Sequence, residues 1–327
     1  MDALRGLTVD QQVGLLFVGL LGALVCATAA LVLWSLRRES RSVDDGDALL
    51  LDTLQRELRA VWIGAAVFWL AWVSGALGAT LLFGALSFLA LREFITLVYT
   101  RRGDHRGLIL AFFVVLPLQY LIVGTRRFDL FTVFIPVYAF FALPVVAALA
   151  GDPQRFLERN AKIQWGVMVC VYGLSHAPAL LLLAPAGQSG RGAFLVFFLV
   201  VVTSAAQLVQ EAASRSLRRR PAVRRIDRSF SWRAWALGAL AAGAAGALLT
   251  WSTPFEPAQA VLLGLVAGGA GTLGELVMKA LKKDAGVRHW GNRPSVTGAV
   301  GLLDRVSPLC FAAPVFFHAL RWYFDLA

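Results

Sequence analysis

Ten apolar segments follow one another along this chain, and nothing constrains its fold more. They run roughly over 13–36, 61–75, 76–91, 108–125, 128–150, 163–184, 192–212, 234–252, 256–278 and 305–324. A helix needs about 20 apolar residues to cross a bilayer. Lipid offers nothing to an unpaired backbone, so only helices or a closed barrel can span it. Of 327 residues, 58% are hydrophobic and only 16% are charged, which is too little charge for a soluble chain of this length. The expected fold class is all-α, a polytopic integral membrane helical bundle of about ten transmembrane segments. The first run, Val13 to Trp34, is too long for a signal-peptide core and has no basic stretch before it, so it reads as a retained span. The second and third are short and meet at Ser74-Gly75, a pattern that fits a re-entrant or tightly packed pair.

The basic residues order these segments. The loops after the first, third, fifth, seventh and ninth carry 26 of the 31 Lys and Arg, leaving Arg5, Arg126, Arg127, Arg191 and Arg321 for the other side. The positive-inside rule then places the odd-numbered loops in the cytoplasm and both termini outside. Dropping one span would scramble this alternation. The net charge of +11 would point to nucleic acid in a soluble protein. Here it reads as topogenic charge facing anionic lipid, with no nucleic-acid partner.

Residues 1–60 are expected to form an N-terminal transmembrane segment and a cytoplasmic linker, with 61–327 as the main transmembrane domain. The 37–59 stretch mixes five Arg with Asp44, Asp45, Asp47, Asp52 and Glu57, and reads as a solvated linker or a short surface helix. Cys26, Cys170 and Cys310 lie in apolar surroundings without paired spacing, as inert thiols do. No internal repeat or matched pair of broken helices supports a secondary transporter.

Phosphate-cradling loops, dinucleotide-binding glycines, paired-His metal helices and nucleophile elbows are all absent. His105, His176, His289 and His318 show no metal spacing. Pro178 should kink the helix near His176, which then either bonds a neighbouring helix or lines a lipid cavity. The loop from Arg215 to Arg233 holds eight arginines against one acid, Asp227, with Trp232 and Trp235 at its exit. It serves as an orientation signal, or Arg224 and Arg225 bind the phosphates of a nucleotide or lipid headgroup.

The most specific stretch is Gly271 to Tyr323. It holds Gly274-Glu275-Leu276, Lys279 and Lys282-Lys283, then Arg288-His289, then Thr297-Gly298-Ala299-Val300-Gly301-Leu302-Leu303-Asp304-Arg305-Val306-Ser307. Phe311-Ala312-Ala313-Pro314-Val315-Phe316-Phe317 follows, and Ala90-Leu91-Arg92-Glu93-Phe94 and Ala161-Lys162-Ile163-Gln164-Trp165-Gly166 lie upstream. Together, over roughly 60 to 327, these resemble the phosphatidate cytidylyltransferase (CDP-diacylglycerol synthase) family. The resemblance implies a cytidylyltransferase-type bundle in a bacterial-type inner membrane with its active face cytoplasmic. The implied reaction joins CTP to phosphatidate, the lipid phosphate attacking the α-phosphorus in line and releasing pyrophosphate. Asp304, Glu275 and Arg305 take the catalytic positions, with Asp304 and Glu275 as ligands of Mg²⁺. Lys279, Lys282, Lys283, Arg288, Arg224, Arg225 and His176 are the expected substrate-binding residues, for CTP and for phosphatidate or another anionic lipid. Homodimerisation is left open.

The chain departs from the family pattern where acids are expected. Glu275 replaces an Asp, Lys279 a Ser, Arg288-His289 a Lys-Asp, Ala299 a His and Ser307 an Asp, and Ser204 stands where an upstream acid falls. A catalytically degraded relative that binds anionic lipid or serves as a partner subunit, needing no cofactor, is therefore the alternative. Glu275 and Asp304 are expected to approach each other at the inner ends of the ninth and tenth segments. Lys279, four residues beyond Glu275, is expected to pair with it in place of a bound cation.

Overall fold

The computed structural model describes residues 9–39, 45–183, 192–217, 222–286 and 301–324. Among the described residues ten helical stretches fall one on each apolar segment. They are α1 (Val9–Glu39), α2 (Asp45–Val73), α3 (Gly75–Thr96), α4 (Arg102–Gly124), α5 (Phe128–Ala148), α6 (Phe156–Leu182), α7 (Gly192–Ser216), α8 (Trp232–Leu248), α9 (Pro257–Asp284) and α10 (Leu302–Phe324). Seven of the described helices are long and apolar enough to cross a membrane. The described residues form no named strand; the single isolated bridge joins Val223 and Asp227. The chain is an all-α integral membrane protein.

Two compact units divide at Ser74 and Gly75. In the first, α1 and α2 pair antiparallel: Phe17 meets Trp69 edge-on at 4.8 Å, and Trp62 Nε1 donates to Thr28 Oγ1 at 3.1 Å. Of the two readings of 37–59, linker or short helix, the helical one holds for residues 45–59, which run into the apolar part of α2. Leu51, Leu54 and Leu58 recur at helical spacing. Most of the short second segment, 61–75, is the apolar C-terminal part of this 29-residue helix.

The second unit, Gly75–Ala327, packs α7, α8, α9 and α10 most closely. Small residues permit this. A Cβ on Gly264 would lie 2.6 Å from Ala242 O, one on Gly246 would collide with Ala260 O, and one on Gly274 would collide with Phe311. Membrane helices associate through such close backbone approach, since lipid supplies no hydrophobic drive between them. Phe113, Phe141 and Leu121 instead remain exposed on the outer surface, as lipid-facing side chains do.

α4, α5 and α6 each widen into a π-helical segment, Ala111–Val115, Phe134–Ala139 and Val167–Gly173. Pro136 lies within the second, where its missing N–H breaks the α ladder. In α6 the widening precedes Pro178 by more than a turn.

The helix ends sort onto two sides. At one, Arg321 pairs with Asp129 at 2.8 Å and Gln259 bonds Tyr323 at 3.2 Å. At the other, Asp104 and Arg159 form a buried ion pair at 3.1 Å, and Arg159 also holds Asp152 at 2.6 Å. Hydrogen bonding to Arg159 keeps the Asp152 carboxyl below the usual carboxylate range. Arg101, Arg155 and Lys162 also lie at this second end.

Candidate functional site

The C-terminal end of α9 gathers the charges. Helical spacing places Glu275 and Lys279 one turn apart, and Lys279 Nζ lies 2.8 Å from Glu275 Oε1. The same ammonium reaches Asp227 Oδ2 at 2.9 Å, in the loop between α7 and α8. Gln207 of α7 donates its amide to Glu275 Oε2 at 3.0 Å. One lysine thus joins α9 to the basic loop while α7 braces its partner acid.

Asp227 also shapes its own loop. It accepts from Ser229 N at 2.7 Å and Ser229 Oγ at 2.6 Å, and Ala222 N donates to Phe230 O at 2.9 Å. Lys283 Nζ pins the loop a second time through Arg225 O at 2.8 Å. Burial raises the Asp227 pKa, but the bonds from Ser229 and Lys279 outweigh it and hold the carboxyl below its ordinary value. The fixed loop leaves Arg224, Arg225 and Arg228 exposed. At its exit the Ser231 hydroxyl accepts from Ala234 N and caps α8, and Trp232 stands exposed.

The first turn of α10 completes the cluster. Asp304 pairs with Lys282, one turn beyond Lys279 on α9. Arg305 follows and is exposed. Gly301, with φ +75°, takes the left-handed turn that starts this helix, a conformation glycine adopts freely. Leu302 N donates to Glu93 Oε2 at 3.0 Å, so the C-terminal end of α3 is tied to the start of α10.

The structure therefore unites Glu275, Lys279, Lys282, Lys283, Asp304 and the loop bearing Arg224 and Arg225. The expected pairing of Lys279 with Glu275 is present. Arg288 lies outside the described residues. His176 belongs elsewhere. It is fully buried, with Nδ1 2.7 Å from Tyr172 O and its ring between Phe131 and Phe317. Its neighbour His318 is fourteen residues along α10 from Asp304, or about 20 Å at the helical rise. Three participants were not anticipated as site residues: Gln207, Asp227 and Glu93. Each meets its partner across a long stretch of sequence, and only the uncommon acids within basic or apolar runs hinted at two of them.

Mg²⁺ fits these described residues poorly. Each matched carboxylate is already engaged by a lysine, Glu275 by Lys279 and Asp304 by Lys282. Among the described residues no three His, Cys, Asp or Glu side chains converge on one point. A tethered ammonium neutralises an acid but offers no open coordination position.

Comparison with known proteins places this geometry. Residues 54–323 match the model of the cytidylyltransferase family. The chain is also 37% identical, over 266 residues, to Uncharacterized protein YnbB of Escherichia coli (strain K12), covering 80% of this chain and 85% of that protein. The matched region holds the Glu275–Lys279, Asp227–Lys279 and Asp304–Lys282 pairs, and the chain belongs to the cytidylyltransferase family.

Proposed function

We propose that the protein transfers a cytidylyl group from CTP to the phosphate of phosphatidate, giving CDP-diacylglycerol for phospholipid synthesis. A lipid phosphate oxygen attacks the α-phosphorus of CTP. The new P–O bond forms as the α–β bridge breaks, and pyrophosphate departs with the electron pair. The observation that carries this reading is the gathering of Glu275, Lys279, Lys282 and Asp304 at the basic end of a bundle whose sequence matches a cytidylyltransferase family. Phosphoryl transfer needs positioned positive charge more than covalent help from the protein. Lys282 and Arg305 stand at the first turn of α10, and Arg224 and Arg225 are exposed on the loop that Lys279 and Lys283 hold down. These side chains orient the triphosphate and lipid phosphate. The basic end faces the cytoplasm, where CTP is, and the membrane is the bacterial inner one.

A second reading is favoured by the Lys279–Glu275 pair: a relative that binds anionic phospholipid, alone or as a partner subunit, without turnover. The test is purified protein in detergent with phosphatidate and CTP labelled at the α-phosphorus. Label appearing in a lipid product supports transfer. Phosphatidate binding with no labelled lipid, with and without added Mg²⁺, selects the second reading.

A further inference from the structure

Glu93 is an unusual residue to find inside a membrane protein. It lies in α3 among Ala90, Leu91 and Phe94, all buried, and is itself only 3% exposed. Its Oε2 accepts from Leu302 N, 209 residues away, while Oε1 is buried and has no hydrogen-bond partner. A carboxylate held this way weakens the fold unless it does something an apolar residue cannot, so an acid at such a position is a functional candidate.

The geometry supplies that task. Leu302 opens α10 directly after the left-handed Gly301, and Asp304 and Arg305 follow within the same turn. A carboxylate at a helix N-terminus satisfies an otherwise unpaired N–H and is favoured by the helix dipole. Here the acid comes from a different helix. It therefore fixes where α10 begins relative to α3, and with it the point at which Asp304 meets Lys282 of α9. We propose that Glu93 is a positioning residue, whose bond to the first backbone N–H of α10 holds Asp304 and Arg305 in register with Lys282. The inference rests on the proposed transfer only for its catalytic consequence; the positioning itself is separately measurable.

The test uses the full-length protein in detergent and an amine-reactive reagent, with modification at each lysine followed by mass spectrometry. Lys282 is protected by Asp304, and Asp304→Asn sets its rate when released. Glu93→Ala should bring Lys282 to that released rate, a several-fold increase, with Lys279 unchanged because its partners lie on α9 and the basic loop. Glu93→Asp keeps the charge but falls one methylene short of Leu302 N, and should release Lys282 as well. Glu93→Gln keeps an oxygen that accepts from Leu302 N, and should hold Lys282 near the native rate. If the alanine variant does not fold, the aspartate and glutamine variants decide. Lys282 remaining protected in Glu93→Asp, or Lys279 and Lys282 being released together, would overturn the proposal. Where the native protein transfers label, Glu93→Ala should lower kcat by on the order of tenfold or more, as misplacement of reacting groups does, with KM for CTP little changed. A native protein without turnover refutes the proposed reaction and leaves the labelling result standing.

Discussion

Replacing Lys279 by Met removes one ammonium and strands two carboxylates. Met has nearly the same helix propensity and length, so the loss is electrostatic. The ammonium is 2.8 Å from Glu275 and 2.9 Å from Asp227, with side chains 35%, 29% and 13% exposed. Fully exposed pairs contribute about 0.2–1 kcal/mol each, and stripping one partner from a buried pair costs about 3–5 kcal/mol. Two pairs at intermediate burial, one with a well-covered acid, place the loss near 2 kcal/mol, or roughly 30-fold in the folded-to-unfolded ratio. Unfolding in mixed micelles by an SDS titration measures it. The decisive form is a cycle with Asp227→Asn, the loop partner. The double variant should be less destabilised than the sum of the singles by about 1 kcal/mol, because residues in contact couple. The Asp227 carboxyl is held below its usual value of 3.8, so its share of this stability is present above that pH and disappears as pH falls through the lowered value. The effect of Lys279→Met should therefore be level from pH 8 to 5 and shrink below about pH 4. Additive losses, within about 0.3 kcal/mol, would show that Lys279 does not join α9 to the loop and would refute the reasoning.

Other variants probe the rest of the framework. Gly274→Ala drives a methyl into Phe311 of α10 and should destabilise by about 1–3 kcal/mol in the same titration, with Lys282 more readily modified. Arg159→Met leaves Asp104 buried without its guanidinium and should lower the thermal midpoint, and Asp104→Asn in the same chain should recover part of the loss. Arg224→Ala with Arg225→Ala changes two exposed side chains. It should leave the thermal midpoint unchanged while raising KM for CTP several-fold, an effect that diminishes as salt is added. Cysteine at Ser229 or Lys283 should resist an impermeant thiol reagent in intact cells, and ready labelling would reverse the proposed orientation.

The described helices were legible because each carries an apolar run closed by charge, and the seven long enough to cross a membrane have few alternatives in lipid. The helix over 45–59 stood beside a linker as an alternative because mixed charges from Asp44 to Arg59 obscured a leucine spacing that was nonetheless helical. Lys279 and Glu275 could be paired from sequence, since four residues on a helix fix their proximity. Nothing local predicts that Lys279 also takes Asp227, 52 residues away, or that Glu93 reaches Leu302. Such bonds depend on how helices lie against one another, which small residues such as Gly264 and Gly274 decide by contact. The π-helical segments were equally hidden: Pro136 marks a missing N–H, but widening is only one way to accommodate it.

The proposed place of cytidylyl transfer is the Lys282–Asp304 contact at the start of α10. The most direct measurement is transfer of α-phosphorus label from CTP to phosphatidate by the native protein, by Asp304→Asn and by Lys282→Met, each checked for an unchanged thermal midpoint. The account predicts labelled lipid from the native protein and a loss of on the order of a hundredfold or more in both variants. Labelled lipid formed equally by all three would contradict it.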